Sequence, residues 1–179
     1  MDQKMRILLI LGILTACSGL ERKIDNKASF DTIKEITIPR TITWTYWFEQ
    51  INERKAAAKL VNDTTWFEQP IGKLIKSNNY AALLFESKDS TLSCLLVTFD
   101  KNKKPVDTLA LLGGKAADIP TVYLYEDAKI GTDLTINLYD SIYAWKVDGQ
   151  KKRIEDTRTT VVKREAYKVL ETGEIERLD

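Results

Sequence analysis

The chain opens on a short apolar run that differs from everything after it. Residues 7–14 are apolar, follow two basic residues (Lys4 and Arg6) and lead into small residues. This order is typical of a secretory signal peptide. A helix needs about 20 apolar residues to cross the hydrocarbon core of a membrane, and this run is much shorter. We therefore expect a cleaved leader, not a transmembrane helix or a buried helix of the domain.

Alternating apolar and polar positions follow over residues 36–46. A period of two with β-branched residues predicts a strand that buries one face. Pro39 interrupts this segment and lacks a backbone N–H. The strand is therefore expected at the edge of a sheet, or to be broken at Pro39.

The spacing of apolar residues then becomes helical, through a segment rich in good helix formers. This predicts a helix over 47–61 and a second, shorter helix over 70–77, with Pro70 in its first turn. The tetrapeptide Trp-Phe-Glu-Gln occurs at 47–50 and again at 66–69. Because a structural repeat needs more matching positions, we interpret this as coincidence, with both Trp-Phe pairs in the core.

From residue 80 onward, short apolar runs alternate with turn-like connections. Strands are predicted over residues 80–87, 91–100, 105–112, 121–127, 133–139, 141–147, 157–171 and 174–178. This regular spacing favours an antiparallel meander. The predicted fold class is mainly β (α+β): an antiparallel β-meander forming a curved sheet, sandwich or partial barrel. One or two short N-terminal helices are expected to cover one face of it.

The apolar run ends on Leu14-Thr15-Ala16-Cys17, which resembles the lipobox of bacterial lipoproteins. The resemblance implies that Cys17 receives a diacylglyceryl group, that the leader is cut before it and that the new amine is acylated. Buried acyl chains contribute about 0.8 kcal/mol per CH₂, so several chains hold a protein to a membrane. Ser18 stands where an aspartate would imply retention at the inner membrane. The resemblance therefore implies an outer-membrane lipoprotein facing the periplasm or the cell surface.

The resulting organisation is a signal peptide over 1–16, a tether over 17–30 and a single β-rich domain over 31–179. The mature part is loosely similar to small uncharacterised envelope lipoproteins of Gram-negative bacteria that end in a β-meander. The whole chain has a formal net charge of +1. The predicted signal peptide contains Asp2, Lys4 and Arg6 and so has a net charge of +1, which leaves the mature part formally neutral. Nucleic acid is not expected as a partner, because nucleic-acid-binding domains are usually basic.

The residue types present exclude several kinds of chemistry. The chain has no histidine, which excludes Ser-His-Asp and Cys-His catalysis and every zinc site with a histidine ligand. Acylation of Cys17 would leave Cys94 as the one free thiol. Because Cys94 lies in an apolar run, it is predicted to be a buried packing residue. No cofactor, no metal and no catalytic residue is assigned.

Aromatic residues mark a candidate binding surface in the later strands. Tyr123 and Tyr125 share one face of a predicted strand. Further along the chain, Tyr139, Tyr143 and Trp145 share a parity, because their positions differ by even numbers. A row of rings can stack on a sugar or hold an apolar ligand. The alternative is that these rings pack beneath the helices or lie on a half-buried face.

Two basic turns, at residues 101–104 and 151–153, are a second candidate surface. Lysines and arginines near a membrane contribute about 1 kcal/mol each toward anionic headgroups, and lipopolysaccharide presents similar charges. Charged turns also keep a sheet soluble, and that alternative stays open.

These observations predict a lipid-anchored envelope protein whose β-domain binds an envelope protein, a glycan or an apolar ligand without catalysis. Two alternatives remain open. The first is a hydrolase of cell-wall or surface polysaccharide that uses two carboxylates, with Glu126-Asp127 and Asp133 with Asp140 as example pairs. The second is a purely structural lipoprotein that links the membrane to another layer.

Overall fold

The computed structural model describes residues 30–60, 70–87, 93–113, 122–150 and 152–178. These ranges contain one α-helix, α1 (Trp44–Leu60), and two short 3₁₀ helices, at Phe30–Thr32 and Glu155–Thr157. They also contain nine strands: β1 (Arg40–Thr43), β2 (Gly72–Lys76), β3 (Tyr80–Glu86), β4 (Cys94–Asp100), β5 (Pro105–Leu112), β6 (Val122–Ile130), β7 (Thr135–Ala144), β8 (Thr159–Val169) and β9 (Ile175–Leu178). No helix in these ranges is both long enough and apolar enough to cross a membrane.

The strands form two antiparallel sheets. One sheet has the order β1-β6-β7-β8-β9 and the other has the order β2-β3-β4-β5. Most neighbours in each sheet are also neighbours in the chain, as a meander requires. The mainly β prediction is confirmed, and of the three predicted architectures the described strands match the sandwich.

The two sheets share one hydrophobic core. Leu84 and Leu96 enter it from the four-stranded sheet, Ile130 and Ile136 enter it from the five-stranded sheet, and Trp47 enters it from α1. All five side chains are at most 1% exposed. At about 25 cal/mol per Å² of apolar surface removed from water, such burial is the main term that stabilises the sandwich.

Helix α1 begins three residues earlier than predicted. The hydroxyl of Thr43 accepts a hydrogen bond from the backbone N–H of Tyr46 at 3.2 Å, which is the geometry of an N-cap. The strand predicted over 36–46 is therefore limited to β1, which starts immediately after Pro39. Because β1 lies at the edge of its sheet, the expectation drawn from Pro39 is confirmed.

The helix predicted over 70–77 is wrong, because this segment contains β2. The backbone N–H of Ile71 donates to the carbonyl of Leu84 at 2.7 Å on one side. On the other side, the N–H of Lys73 donates to the carbonyl of Lys34 at 2.8 Å. A helix this short leaves most of its backbone groups without partners. Pairing with two distant segments satisfies them, and the local sequence does not reveal it.

The two strands predicted over 133–139 and 141–147 are one strand, β7. The prediction placed a break at Asp140, but Asp140 pairs with Glu126 of β6 and with Lys163 of β8 in an unbroken register. Neighbouring strands on both sides hold the backbone extended there. The second Trp-Phe-Glu-Gln copy lies outside the described residues. In the first copy Trp47 is buried, whereas Phe48 is 40% exposed.

A candidate ligand-binding face

The five predicted aromatic residues lie on the side of the five-stranded sheet that faces away from the core. Tyr123 of β6 pairs directly with Tyr143 of β7, so the two rings project from the same side. The alternate residues of the same two strands, such as Ala128 and Ile136, are fully buried in the shared core. Strand alternation therefore turns the tyrosines outward. We call the surface formed by Tyr123, Tyr125, Tyr139, Tyr143 and Trp145 the outer face.

The outer face is open to solvent. Tyr123 is 54% exposed and Tyr125 is 38% exposed, while the other three rings are half-buried. Helix α1 packs its buried face into the core on the opposite side of the sheet. The alternative that Tyr123 and Tyr125 pack beneath a helix is therefore wrong.

Three of the five rings form a contiguous row. The ring centroids of Tyr123 and Tyr143 are 6.3 Å apart, and those of Tyr143 and Trp145 are 6.4 Å apart. Both separations lie in the range in which aromatic pairs attract one another. The row therefore places three aromatic rings side by side at one end of the sheet.

Two arginines lie over this row. The guanidinium carbon of Arg158 is 5.6 Å from the ring centroid of Tyr143, and that of Arg153 is 4.6 Å from the ring centroid of Trp145. Arg153 belongs to the predicted basic turn at 151–153, so this residue of the turn adjoins the outer face. The indole N–H of Trp145 is buried and has no hydrogen-bond partner in the described part of the chain.

The ring of Tyr139, further along β7, lies between two more cations. Lys129 Nζ is 4.8 Å from its centroid and the guanidinium carbon of Arg164 is 5.3 Å from it. Arg164 also donates to Asn137 Oδ1 at 3.2 Å. Asp127 is the register partner of Tyr139, and its buried Oδ1 has no hydrogen-bond partner among the described residues. Tyr139 is therefore contacted by two cations and has one carboxylate as its register partner.

This combination supports two kinds of contact at once. Tyrosine and tryptophan rings offer flat apolar surfaces with polar edges, which suit the apolar face of a sugar ring. Guanidinium groups offer several N–H donors in a plane, which suit carboxylate and phosphate groups. An anionic saccharide presents both features to the same surface.

The predicted acid pairs are not brought together. Glu126 and Asp127 are consecutive in β6, so their side chains project from opposite faces of the sheet. Asp133 lies in the turn before β7, where it accepts a hydrogen bond from Lys168 Nζ at 2.6 Å and another from the Thr135 hydroxyl. These two contacts hold the pKa of Asp133 well below its ordinary value.

Glu126 is the buried acid of the inner face, and its register partner is Asp140. Its Oε2 accepts hydrogen bonds from the Trp44 indole N–H at 3.2 Å and from the backbone N–H of Gly113 at 3.3 Å. Trp44 is the first residue of α1 and Gly113 directly follows β5, so this carboxylate joins parts of the fold.

Cys94 is free and fully buried in the shared core, as predicted. Burial raises the pKa of its thiol well above the ordinary value, which disfavours the nucleophilic thiolate. Within the described residues, no group of three or more acidic or cysteine side chains is arranged to hold a metal ion.

Sequence reasoning missed most of the cations around the rings. Lys129 shares the parity of Tyr123 and Tyr125, so strand alternation alone placed it on the same face. Arg164 in β8 and Arg158, directly before it, reach the rings because β8 pairs with β7. That register depends on contacts between distant segments, and no local pattern specifies it.

No family model, curated protein or solved structure matches the chain. The predicted lipidation site, Cys17, lies outside the described residues.

Proposed function

We propose that the protein is a lipid-anchored envelope protein whose β-domain binds an anionic glycan without catalysis. The observation that carries this proposal is the outer face, where the row Tyr123, Tyr143 and Trp145 is accompanied by Arg153 and Arg158. The lipobox-like sequence at Cys17 supports the anchor, and the exposed rings support the binding site.

The shape of the outer face favours an extended ligand. From Tyr139 to Tyr143 the rings follow β7 over roughly 14 Å, at about 3.4 Å per residue, and Trp145 extends the row just beyond the end of the strand. A small apolar ligand is usually held in a concave pocket that covers most of its surface. An open row of rings instead suits a polymer that lies along the strand.

The charge around the rings favours an anionic ligand. Lys129, Arg153, Arg158 and Arg164 lie over the tyrosine and tryptophan rings, whereas the mature chain as a whole is formally neutral. A carboxylated or phosphorylated saccharide would pair with these cations while its ring stacks on the tyrosines.

A titration tests the binding proposal. Isothermal titration of the purified protein with polygalacturonate, a carboxylated polysaccharide, should show binding that weakens as salt rises, and uncharged dextran should bind far less. Tyr143→Ala and Arg158→Ala should each weaken binding about tenfold, equivalent to about 1.4 kcal/mol. Phe48→Ala removes an exposed ring on α1 and should leave binding unchanged. Equal binding by all three variants, or none by the wild type, would contradict the proposal.

The anchor has a separate test. In cells supplied with labelled palmitate, the wild type should incorporate the label and sediment with the membrane fraction. Cys17→Ser should abolish labelling and release the protein from that fraction. A Cys17→Ser variant that is still processed and still sediments with membranes would show that the lipobox interpretation is wrong.

A further inference from the structure

Strand β8 extends beyond β9, the shorter of its two neighbouring strands. Strand β7 pairs with β8 from Thr159 to Lys168, whereas β9 pairs with it only from Ala166 to Val169. Residues 159–165 therefore have β7 on one side and, among the described residues, no strand on the other. A surface cleft of about 540 Å³, lined in part by Arg164 and Leu178, lies where β9 ends.

The hydrogen bonds at the end of β8 show which backbone groups point toward this open edge. The N–H of Leu170 donates to Glu174 on the β9 side, and the N–H of Val169 donates to Leu134 on the β7 side. The β7–β8 register continues without a shift to Thr159. Because consecutive residues of an antiparallel strand alternate in direction, the N–H and C=O groups of Thr160, Val162 and Arg164 point outward.

The side chains along this edge are also exposed. Val161 is 62% exposed and Val162 is 58% exposed, although both are apolar and β-branched. Sheets usually protect an edge with charged side chains, proline, a bulge or a covering segment, and an unprotected edge is a template for another strand. Residues 159–165 contain no proline, their register shows no bulge, and their charges are confined to Lys163, Arg164 and Glu165, next to the part of β8 that β9 covers.

We propose that a second copy of this chain adds to the open edge, with the two β8 strands antiparallel and Val162 opposite Val162. Val162 is the midpoint of residues 159–165, so the open stretch is complementary to itself, and β9 limits the pairing because Leu178 already lies opposite Ala166. In this register Thr160 lies opposite Arg164 of the second copy. The outward-pointing groups of the two copies therefore face each other and form hydrogen bonds across the joined edge.

The charges select this register over its neighbours. With Val162 on the axis, Lys163 lies opposite Val161 of the other copy, so no like charges are directly opposed. Centring the pair on Val161 would place Arg158 opposite Arg164. Centring it on residue 163 would place two lysines opposite each other. Directly opposed like charges destabilise a strand pair, so a single register is favoured.

The pairing has a geometric consequence that goes beyond the proposed binding function. Two identical strands that pair edge to edge in antiparallel directions are related by a twofold axis perpendicular to the sheet. Both outer faces then lie on the same side of one continuous sheet. A polymer that binds one face reaches the second face at high effective concentration, which strengthens binding without any new contact.

A pair of cysteine variants tests the proposal in the full-length chain carrying Cys17→Ser, where buried Cys94 is the remaining native cysteine. Opposed residues of a hydrogen-bonded pair have Cα atoms about 5.5 Å apart, within disulfide range. Val162→Cys should therefore form a disulfide-linked dimer under mild oxidation. Val161→Cys is similarly exposed, but its two copies would be about 7–8 Å apart and should not link. Equal linkage by both variants, or linkage by neither, would overturn the proposal.

A proline variant supplies an independent readout. The N–H of Val162 points to the open edge, so Val162→Pro removes an outward donor without removing a β7 hydrogen bond. In sedimentation velocity the wild type should be dimeric, and Val162→Pro should be monomeric with an unchanged far-UV circular dichroism spectrum. Val162→Thr retains the N–H and should stay dimeric. A monomeric wild type, or a folded Val162→Pro that remains dimeric, would also overturn the proposal.

Discussion

At the scale of single residues, Glu126 shows how one buried carboxylate joins distant parts of the chain. Its Oε2 accepts hydrogen bonds from the first residue of α1, Trp44, and from Gly113, which follows β5. The side chain itself belongs to β6. One acceptor thus links the helix, the end of the four-stranded sheet and the five-stranded sheet.

Replacing this acceptor should destabilise the fold. Glu126→Ala leaves the Trp44 indole N–H and the Gly113 N–H without their partner, and an unsatisfied buried donor costs about 1–3 kcal/mol. Equilibrium unfolding in urea should show a lower free energy of unfolding by about that amount. Glu126→Gln keeps an acceptor oxygen and should lose less. Wild-type stability of Glu126→Ala would show that the two hydrogen bonds do not stabilise the fold.

Asp133 should make stability depend on acid pH. Hydrogen bonds from Lys168 and Thr135 hold the pKa of Asp133 below its ordinary value of 3.8 in the folded protein. Because the folded pKa is depressed, the carboxylate stabilises the fold above pH 4, and this contribution is lost as the pH falls toward the folded pKa. Asp133→Asn should therefore lower the thermal unfolding midpoint at pH 7. Below pH 4 the midpoint of this variant should fall less steeply with decreasing pH than that of the wild type.

A partner variant checks the assignment to Asp133. Lys168→Met removes the cation that donates to Asp133, so it should flatten the same acid limb of the stability curve. If Asp133→Asn and the wild type lost stability in parallel between pH 4 and pH 2, another group would be responsible for the acid sensitivity.

At the scale of elements, the two sheets are connected by buried polar contacts as well as by the core. The hydroxyl of Thr98 in β4 donates to the carbonyl of Gly173 at 2.6 Å and accepts from the N–H of Asp107 at 3.1 Å. The Asp107 carboxylate in turn accepts from the N–H of Ile175 in β9 at 2.9 Å. These contacts attach the β8–β9 turn to the four-stranded sheet.

Removing the Thr98 hydroxyl should weaken this attachment. Thr98→Val keeps the shape of the side chain but leaves the Gly173 carbonyl and the Asp107 N–H without their partner, which should cost about 1–3 kcal/mol. Urea unfolding measures the loss. Thr108→Val lies at an exposed position of β5 and should stay within about 0.5 kcal/mol of the wild type. Equal stability of the two variants would contradict the role given to Thr98.

The sequence predicted correctly those elements whose bounds are marked by neighbouring residues in the chain. Strand β5 was predicted with its observed bounds, because Pro105 and the turn before it mark its start. Strand β2 was mistaken for a helix because what makes it a strand is pairing with Lys34 and Leu84, which lie far along the chain. The break predicted at Asp140 failed for the same reason, because the neighbours of β7 override a local polar residue.

At the scale of the whole molecule, the site was predictable in part. Parity placed Tyr123 and Tyr125 on one face of their strand and gave Tyr139 and Tyr143 a shared parity, but the β6–β7 register was needed to put all four on the same face. Their outward direction was not predictable, because it depends on which side of the sheet receives the second sheet and α1. The cations from β8 required the β7–β8 register. The result is a sandwich in which the five-stranded sheet has one face in the core and the other open to solvent.

The most direct test of this account is to map where an anionic glycan binds. Amide and indole chemical shifts of the isotopically labelled protein would be followed by NMR as polygalacturonate is added. We predict shifts concentrated in β6, β7 and β8, including the indole N–H of Trp145, with little change in β3 and β4. Shifts concentrated in the four-stranded sheet, or no shifts at saturating polygalacturonate, would contradict the assignment of the outer face as the binding site.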